Sequence, residues 1–344
     1  MARLTINDIA RKAGVSKTTV SRVLNNRPEV EESTRLNVLK VIEEANFVPN
    51  DMAAGLRKRK TNLVGLLTAN LKNPWGIEVF QGVLEGLETY NYQLLLYTTN
   101  YHSETAESLR ALDRLLNNGL ADGLIVLLPA FVQEQFNKLS SSGMPIVVVD
   151  DTGFVSGVNL PSIGANSYRG ALAVTRHLIG LGHRKIAFIG SPLEFRYSQE
   201  RLEGYKAALV EAGLECDPAL VSTGQTVEFE ETGYSATQAL LALEQPGPAF
   251  TAIFAATDLA ALGAMRALTE HGLRVPDDIS LAGFDDLPRA AYNVPALTTV
   301  HQPLHEIGQL AVKMLMEQIE GKPLERQRIE LETELIIRGS TRAR

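Results

Sequence analysis

The chain reads as a small all-α headpiece followed by a larger α/β body of two doubly wound subdomains. Three observations predict this. In residues 5–24, TINDIARKAGVSKTTVSRVL, apolar side chains recur at helical spacing on either side of a glycine. From Asn62 onward, short apolar strands alternate with helices in two successive series. Charge is also split: residues 1–60 carry 12 Lys+Arg against 7 Asp+Glu, and the remainder carries 21 against 33.

The first helix has Thr5 as its cap, with Asp8 placed to reach back to free N–H groups. Ile6, Ile9, Ala10 and Ala13 share one face, and Gly14 supplies the left-handed residue that ends the helix. Ser16 caps a second helix whose apolar stripe is Val20, Val23 and Leu24. Lys17, Thr18, Ser21 and Arg22 face away from that stripe, as on a helix offered to the major groove of DNA. A helical hairpin used only for packing would show the same periodicity; the basic headpiece on an acidic body favours a nucleic-acid partner. A third helix follows, capped by Ser33, with Val38, Val41, Ile42 and Ala45 on its inner face. Residues 50–60, NDMAAGLRKRK, are too short a helix to stand alone in water and read as a linker. Leu56 beside four cations resembles the apolar wedge of a minor-groove binder.

In the body, the first series comprises strands at 63–68, 93–98, 123–128 and 145–150 with helices at 75–90, 104–117 and 131–141. The second begins near Val158, with helices at 167–179, 199–212 and 258–271 and strands at 185–189, 251–255 and 279–284. A helix at 304–320 and one strand at 327–337 complete it. Runs such as PIVVVD lack polar alternation, as parallel strands buried on both faces require. Two such sheets predict a cleft at the carboxyl ends of their strands, where ligands bind.

Several classes are disfavoured. Cys216 is the sole cysteine, so neither an internal disulfide nor a cysteine metal cluster can form. The polar N-terminus lacks the apolar run of a secretion signal and no stretch reaches membrane-spanning length, which predicts a cytoplasmic protein without membrane contact. No dinucleotide fingerprint, phosphate-binding loop or GxSxG elbow is present, so neither an enzyme nor a cofactor site is expected. His301, His305 and Glu306 approach a metal-ligand spacing, but Pro303 puts His301 off the helix; no metal site is expected. A solute-binding protein or α/β enzyme carrying an extra helical domain is the rival reading.

Polar residues do gather at strand ends facing the expected cleft: Asp150, Asp258 and Asp285–Asp286, with Arg201 at a helix start. Asn73 and Trp75 follow the first strand, the tryptophan offering an aromatic platform. Carboxylates and a guanidinium converging with an aromatic favour a neutral sugar over a purine or a phosphate. Asp258 could instead merely cap its helix, and Trp75 could be core.

The chain resembles the LacI/GalR family of bacterial transcription regulators nearly end to end. TINDIARKAGVSKTTVSRVLN is similar to the family's helix-turn-helix signature, and NFVPNDMAAGLRKRKTNLVGLL to its hinge and first body strand. LGHRKIAFIG, RLEGYKAAL, DLAALGAMRALTEHGLRVPDDISLAGFDD and PALTTVHQP resemble its effector-body signatures. The resemblance implies a helix-turn-helix headpiece (1–48), a hinge (49–61) and a periplasmic-binding-protein-like body (62–344) that dimerises. The implied subdomains are approximately 62–162 plus 292–325 and 163–291 plus 326–344. Lys17, Thr18 and Arg22 would read bases, with Ser16, Thr19 and Ser21 near phosphate; Thr5 and Asn25 complete the DNA-binding set. Leu56, with Ala53, would enter the minor groove of a near-palindromic operator. The effector set is Asn73, Trp75, Asp150, Arg201, Thr257 and Asp285, Thr257 standing where relatives often carry Asn. The implied protein is a homodimeric repressor governed by a mono- or oligosaccharide.

Overall fold

The computed structural model describes residues 4–24, 27–45, 47, 60–68, 73–98, 116, 119–127, 133–150, 160–193, 195–224, 228–243 and 249–344. The chain forms two compact units, Met1–Thr61 and Asn62–Arg344.

The first unit holds α1 (Ile6–Ala13), α2 (Lys17–Leu24) and α3 (Glu32–Glu44). Asp8 accepts both the Thr5 backbone N–H at 2.9 Å and its hydroxyl at 2.6 Å, tying down the start of α1. Gly14 ends α1 at φ 65°, a conformation that costs a residue with a Cβ. Ser16 Oγ accepts the Thr19 N–H at 3.0 Å and so opens α2. Ser33 does not cap α3: the helix begins at Glu32, after Glu31, and Ser33 lies within its first turn. Ile9, Ala10, Ala13, Val20, Val23, Val38 and Phe47 pool into one core. Asn37 Nδ2 donates to the Ala13 carbonyl at 3.0 Å and links α3 to α1. Asn25 and the hinge from residue 49 to 59, with Ala53 and Leu56, lie outside the described residues, as does the expected helix at 104–117 but for Leu116.

The second unit contains two parallel sheets. The first is built from β1 (Leu63–Thr68), β2 (Gln93–Thr98), β3 (Gly123–Leu127), β4 (Ile146–Val149), β5 (Ser162–Ala165) and β11 (Arg328–Leu331), in the order β11-β5-β4-β3-β1-β2. The second comprises β6 (Ile186–Gly190), β7 (Val221–Thr223), β8 (Ala252–Ala255) and β9 (Ser280–Ala282), in the order β7-β6-β8-β9. The strands β3, β4, β6, β8 and β9 are buried at every position, which explains their unbroken apolar runs. The helices are α4 (Pro74–Thr89), α5 (Gln133–Ser141), α6 (Ser167–Gly180), α7 (Arg196–Glu211), α8 (Phe229–Leu241), α9 (Asp258–Glu270), α10 (Pro288–Tyr292) and α11 (Leu304–Ile319). A two-stranded antiparallel ribbon joins β10 (Thr299–His301) to β12 (Glu334–Ile336).

The subdomain boundaries differ from expectation. The strand expected at 327–337 is two strands: Arg328–Leu331 pairs with β5 in the first sheet, and Glu334–Ile336 pairs with β10. Residues 163–165 likewise belong to the first sheet, while Leu297 and Val300 are buried in the cores of the second subdomain. The chain therefore crosses between subdomains after Ala165, before Leu304 and after Leu331. Periodicity could not separate β11 from β12, because only Glu332 and Thr333 lie between them. Helix α8 and strand β7 have no counterpart in the sequence reading; β7 is too short to show an alternation.

Close helix packing fixes the first subdomain. α4 crosses α11 where Gly82 faces the His305 carbonyl and Gly308 faces the Val79 carbonyl; a Cβ at either glycine would overlap backbone.

Candidate nucleic-acid interface and effector site

Helix α2 buries Val20 and Val23 and exposes Thr18 and Arg22, which share a face at i, i+4 spacing. Lys17, Thr19 and Ser21 are half-buried; Ser16 and Thr5 are exposed. The Ser16 hydroxyl already holds the helix start and sits 2.8 Å from Thr19 Oγ1. The exposed Arg11 and Lys12 at the end of α1 add positive charge to this unit.

In the body, Asp150 follows β4 at φ 53°, its carboxylate lying over Gly164 of β5, where a Cβ would overlap Oδ1. Asn73 caps α4, its Oδ1 accepting the Trp75 N–H at 3.1 Å. Trp75 is 4% exposed and packs in the core of the first subdomain while still bordering the cleft. Arg201 lies in the second turn of α7, not at its start, and is 2% exposed. Its Nη1 donates to the Ala256 carbonyl at 2.5 Å and to Asp285 Oδ1 at 3.4 Å, and its Nε to Ser167 Oγ at 3.3 Å. The guanidinium carbon stands 3.7 Å from the centre of the Phe284 ring and 4.8 Å from that of Tyr197, so this buried cation is held by a carboxylate and two π faces.

Asp285 is presented by a loop with φ 124° at Asp285 and 58° at Asp286. Gln302 Nε2 donates to its Oδ1 at 2.7 Å. Burial pushes Asp285 up to about 6, against the opposing pull of Arg201 and Gln302. Asp258 does not cap its helix: Thr257 does, its hydroxyl accepting the Ala260 N–H at 3.1 Å. Asp258 is buried and accepts the Leu287 N–H at 2.8 Å and the Thr299 hydroxyl at 2.5 Å, bracing the Asp285–Asp286 loop. Burial, then the Asp285 charge, hold Asp258 well above the usual carboxylate range.

The tertiary fold brings Asn73, Trp75, Asp150, Arg201, Thr257 and Asp285 around one small, half-open space, together with Tyr197, Phe229 and Leu259. Its volume of about 20 Å³ suits a water or two. A wider cleft of about 800 Å³ adjoins it, sharing Asn73, Phe229 and Leu259 and extending over Ile77, Tyr234 and Arg289. The roomier space is thus beside the converging charges rather than among them. Sequence reasoning misses Tyr197 and Phe229: each stands at or next to the start of a helix, where an aromatic residue reads as core, and the strand before Phe229, β7, is itself too short to be read. His301 pairs with Asp286 at 3.1 Å and His305 with Glu85 at 3.0 Å, so the two histidines serve separate carboxylates. Among the described residues no group of three or more His, Cys, Asp or Glu is placed to hold a metal, and no helix is long and apolar enough to cross a membrane.

Residues 5–50 match the model of the bacterial regulatory proteins of the lacI family, and residues 175–341 the periplasmic binding protein-like domain. The HTH-type transcriptional repressor PurR of Haemophilus influenzae (strain PittEE) is 36% identical over 344 residues, spanning 98% of this chain and 99% of that protein. PurR of Proteus mirabilis (strain HI4320) is 36% identical over 338 residues, with 98% and 96% covered. Among solved structures, the lac repressor dimer bound to operator and the anti-inducer ONPF aligns with a TM-score of 0.86 at 27% identity, covering 99% of this chain and 100% of that one. The transcriptional regulator CelR–cellobiose complex aligns at 0.75 and 32% identity, covering 98% and 100%. A LacI family regulator from Enterococcus faecium with bound ribose aligns at 0.70 and 27% identity, covering 82% and 99%. With a lacI-type headpiece, a periplasmic-binding-protein-like body and kinship over its whole length to these repressors, the chain belongs to the LacI family and is a DNA-binding transcriptional repressor.

Proposed function

We propose that this repressor's hold on its operator is set by a small neutral polyhydroxylated effector, a mono- or oligosaccharide, seated between the two subdomains of the body. The observation that carries the reading is the convergence of Asn73, Trp75, Asp150, Arg201, Thr257 and Asp285 on one small space. Hydroxyl groups both donate and accept, and this set offers carboxylates, a guanidinium, an amide and a hydroxyl beside aromatic faces. The cellobiose and ribose found in the related structures support the same ligand class.

The space among these residues is too small for a sugar as it stands, so binding requires side chains or subdomains to move, with three crossover links carrying the motion. A ligand that prefers one opening of the cleft biases that opening, and its coupling to DNA affinity is reciprocal. In the headpiece Lys17, Thr18 and Arg22 read base edges, while Thr5, Ser16, Thr19, Ser21 and Asn25 lie along the phosphates. Leu56, with Ala53, wedges the minor groove at the operator centre at an unstacking cost of a few kcal/mol. Two protomers form a homodimer that matches a near-palindromic site in the cytoplasm.

The test combines two titrations on the full chain. In fluorescence anisotropy, operator DNA from upstream of the gene binds more tightly than a scrambled duplex at fixed salt; equal binding defeats the operator reading. In a thermal-shift screen, mono- or disaccharides raise Tm by mass action while purine bases do not. A rise with purine bases alone defeats the saccharide reading.

A further inference from the structure

Asp285 and Asp286 follow one another at φ 124° and 58°. Neither is a glycine, so both conformations are strained, and such strain persists only where the surroundings over-determine it. Asp285 borders the effector space. Asp286 commits its carboxylate to two other segments of the chain. Arg338 Nη2 donates to its Oδ1 at 2.6 Å, and His301 Nδ1 stands 3.1 Å from its Oδ2. The Asp286 and Arg338 side chains are 17% and 19% exposed, so this charge-assisted bond is largely shielded from water.

Arg338 is itself firmly seated. Its backbone N–H donates to Thr298 Oγ1 at 3.0 Å and its Nη1 to the Leu297 carbonyl at 2.9 Å. Two residues on, Ser340 is fully buried; its Oγ accepts the Thr298 N–H at 2.8 Å and donates to the Leu281 carbonyl at 2.5 Å. The segment after β12 is thus laid against the strands on either side of the Asp285–Asp286 loop.

The two residues that grip Asp286 adjoin two of the links between subdomains. His301 ends β10, from which Gln302 and Pro303 lead to α11. Arg338 follows β12, which the chain enters from β11 through Glu332 and Thr333. Asp285 is tied to the same place: its N–H donates to the Val300 carbonyl at 2.9 Å, and Gln302 bonds its carboxylate.

We infer that Arg338, acting with His301 through Asp286, is a positioning residue of the effector site: it holds Asp285 in its strained, binding-ready conformation and ties that conformation to the links over which the subdomains move. The inference rests on Asp285 belonging to the effector site, as read above, and not on the effector being a sugar. Without Arg338 the loop keeps only His301 on Asp286, and its left-handed pair can relax away from Arg201.

Hydrogen exchange on the full chain, read by mass spectrometry, tests this without any effector. Three loop amides report: Gly283 donates to the Thr298 carbonyl, Asp285 to that of Val300 and Leu287 to Asp258. In Arg338→Met, which keeps the apolar stem, residues 283–287 should exchange about tenfold faster, as the loss of one hydrogen bond between charged groups implies, while α4 and α11 keep wild-type rates. The double variant Arg338→Met/Asp286→Asn should match Asp286→Asn alone, because both changes remove one contact. Arg338→Lys keeps the charge and should restore most of the protection. Wild-type protection of 283–287 in Arg338→Met overturns the inference. So does acceleration confined to residues 338–344 or spread evenly through the body, either of which makes Arg338 a structural anchor only. Calorimetric titration with ribose and cellobiose adds the binding readout: a sugar bound by the wild type should bind Arg338→Met about tenfold more weakly and Arg338→Lys nearly normally, and unchanged affinity in Arg338→Met overturns the inference. If the wild type binds neither sugar, the saccharide reading falls, and the exchange rates still decide the role of Arg338.

Discussion

Glycines are used differently in the headpiece and in the body. Gly14 has nothing within 4 Å of where its Cβ would be, and its φ of +65° is what the turn between α1 and α2 needs. Gly82 and Gly308 are ordinary helical residues in conformation, yet a Cβ on either would strike the backbone of the facing helix. In the headpiece, the constraint comes from neighbours in sequence: Thr5 with Asp8, Ser16 with Thr19, Gly14 with Ala10 and Arg11. In the body it comes from residues far apart, as where Gly82 meets His305 or Arg328 pairs with Ser162. A local code is readable from one stretch of chain; a long-range one is read only after the stretches have met.

The largest expected effect tests whether the two regions separate in function. Arg22→Ala should weaken operator binding by about 1–3 kcal/mol if Arg22 reads a base, while the effector's affinity in the absence of DNA stays as in the wild type. Anisotropy and calorimetry on the same preparation check both; a matching loss of effector affinity would break the division.

Gly82→Ala comes next. Its methyl group has only backbone to meet, so the body should lose about 1–3 kcal/mol of stability, seen as a lower melting temperature, while headpiece circular dichroism persists. A wild-type melting curve would mean that α4 and α11 can slide apart without cost.

Asp285 provides a pH test. Its ordinary value is 3.8 and burial raises it to about 6, so between roughly pH 4 and pH 6 the folded chain holds a proton that the unfolded chain has released. The stability this group contributes is therefore fully present below about pH 4 and is lost as pH rises through about 6. Hydroxyl donors on an effector favour the ionised carboxylate, so effector affinity should rise from pH 5 to pH 7 with release of a proton. Titration in two buffers of different ionisation heat measures that release, and Asp285→Asn should flatten the profile. Asp258, also raised by burial and by Asp285, shares the titration, so the step belongs to the pair.

Gly14→Ala should have the smallest effect, about 1 kcal/mol of headpiece stability, because only backbone strain opposes it. A loss larger than that of Gly82→Ala would reverse the contrast between the two regions.

The legible part of the effector site shows the same division. Asn73, Trp75, Asp150, Arg201, Thr257 and Asp285 could be singled out because they follow strands or match family signatures, and their residue types suit hydroxyl recognition. Tyr197 and Phe229 were not legible, because an aromatic residue early in a helix looks like any core residue until the facing wall is known. Asp258 read either as a cleft residue or as a cap; its burial under the Leu287 and Thr299 donors became visible only once α9, the loop before α10 and β10 were in place.

By itself, the sequence determined the three headpiece helices, with the caps of the first two, and the alternation of buried strands and helices in the body. These follow from hydrogen bonds and apolar periodicity within a few residues of each position. It also determined the family, through motifs spread along the chain. Only the tertiary structure decided that β11 returns to the first sheet while β12 pairs with β10, and that Arg338 and His301 meet at Asp286. Strand pairing and side-chain convergence depend on which surfaces are buried together, and that is a property of the whole body rather than of any one segment.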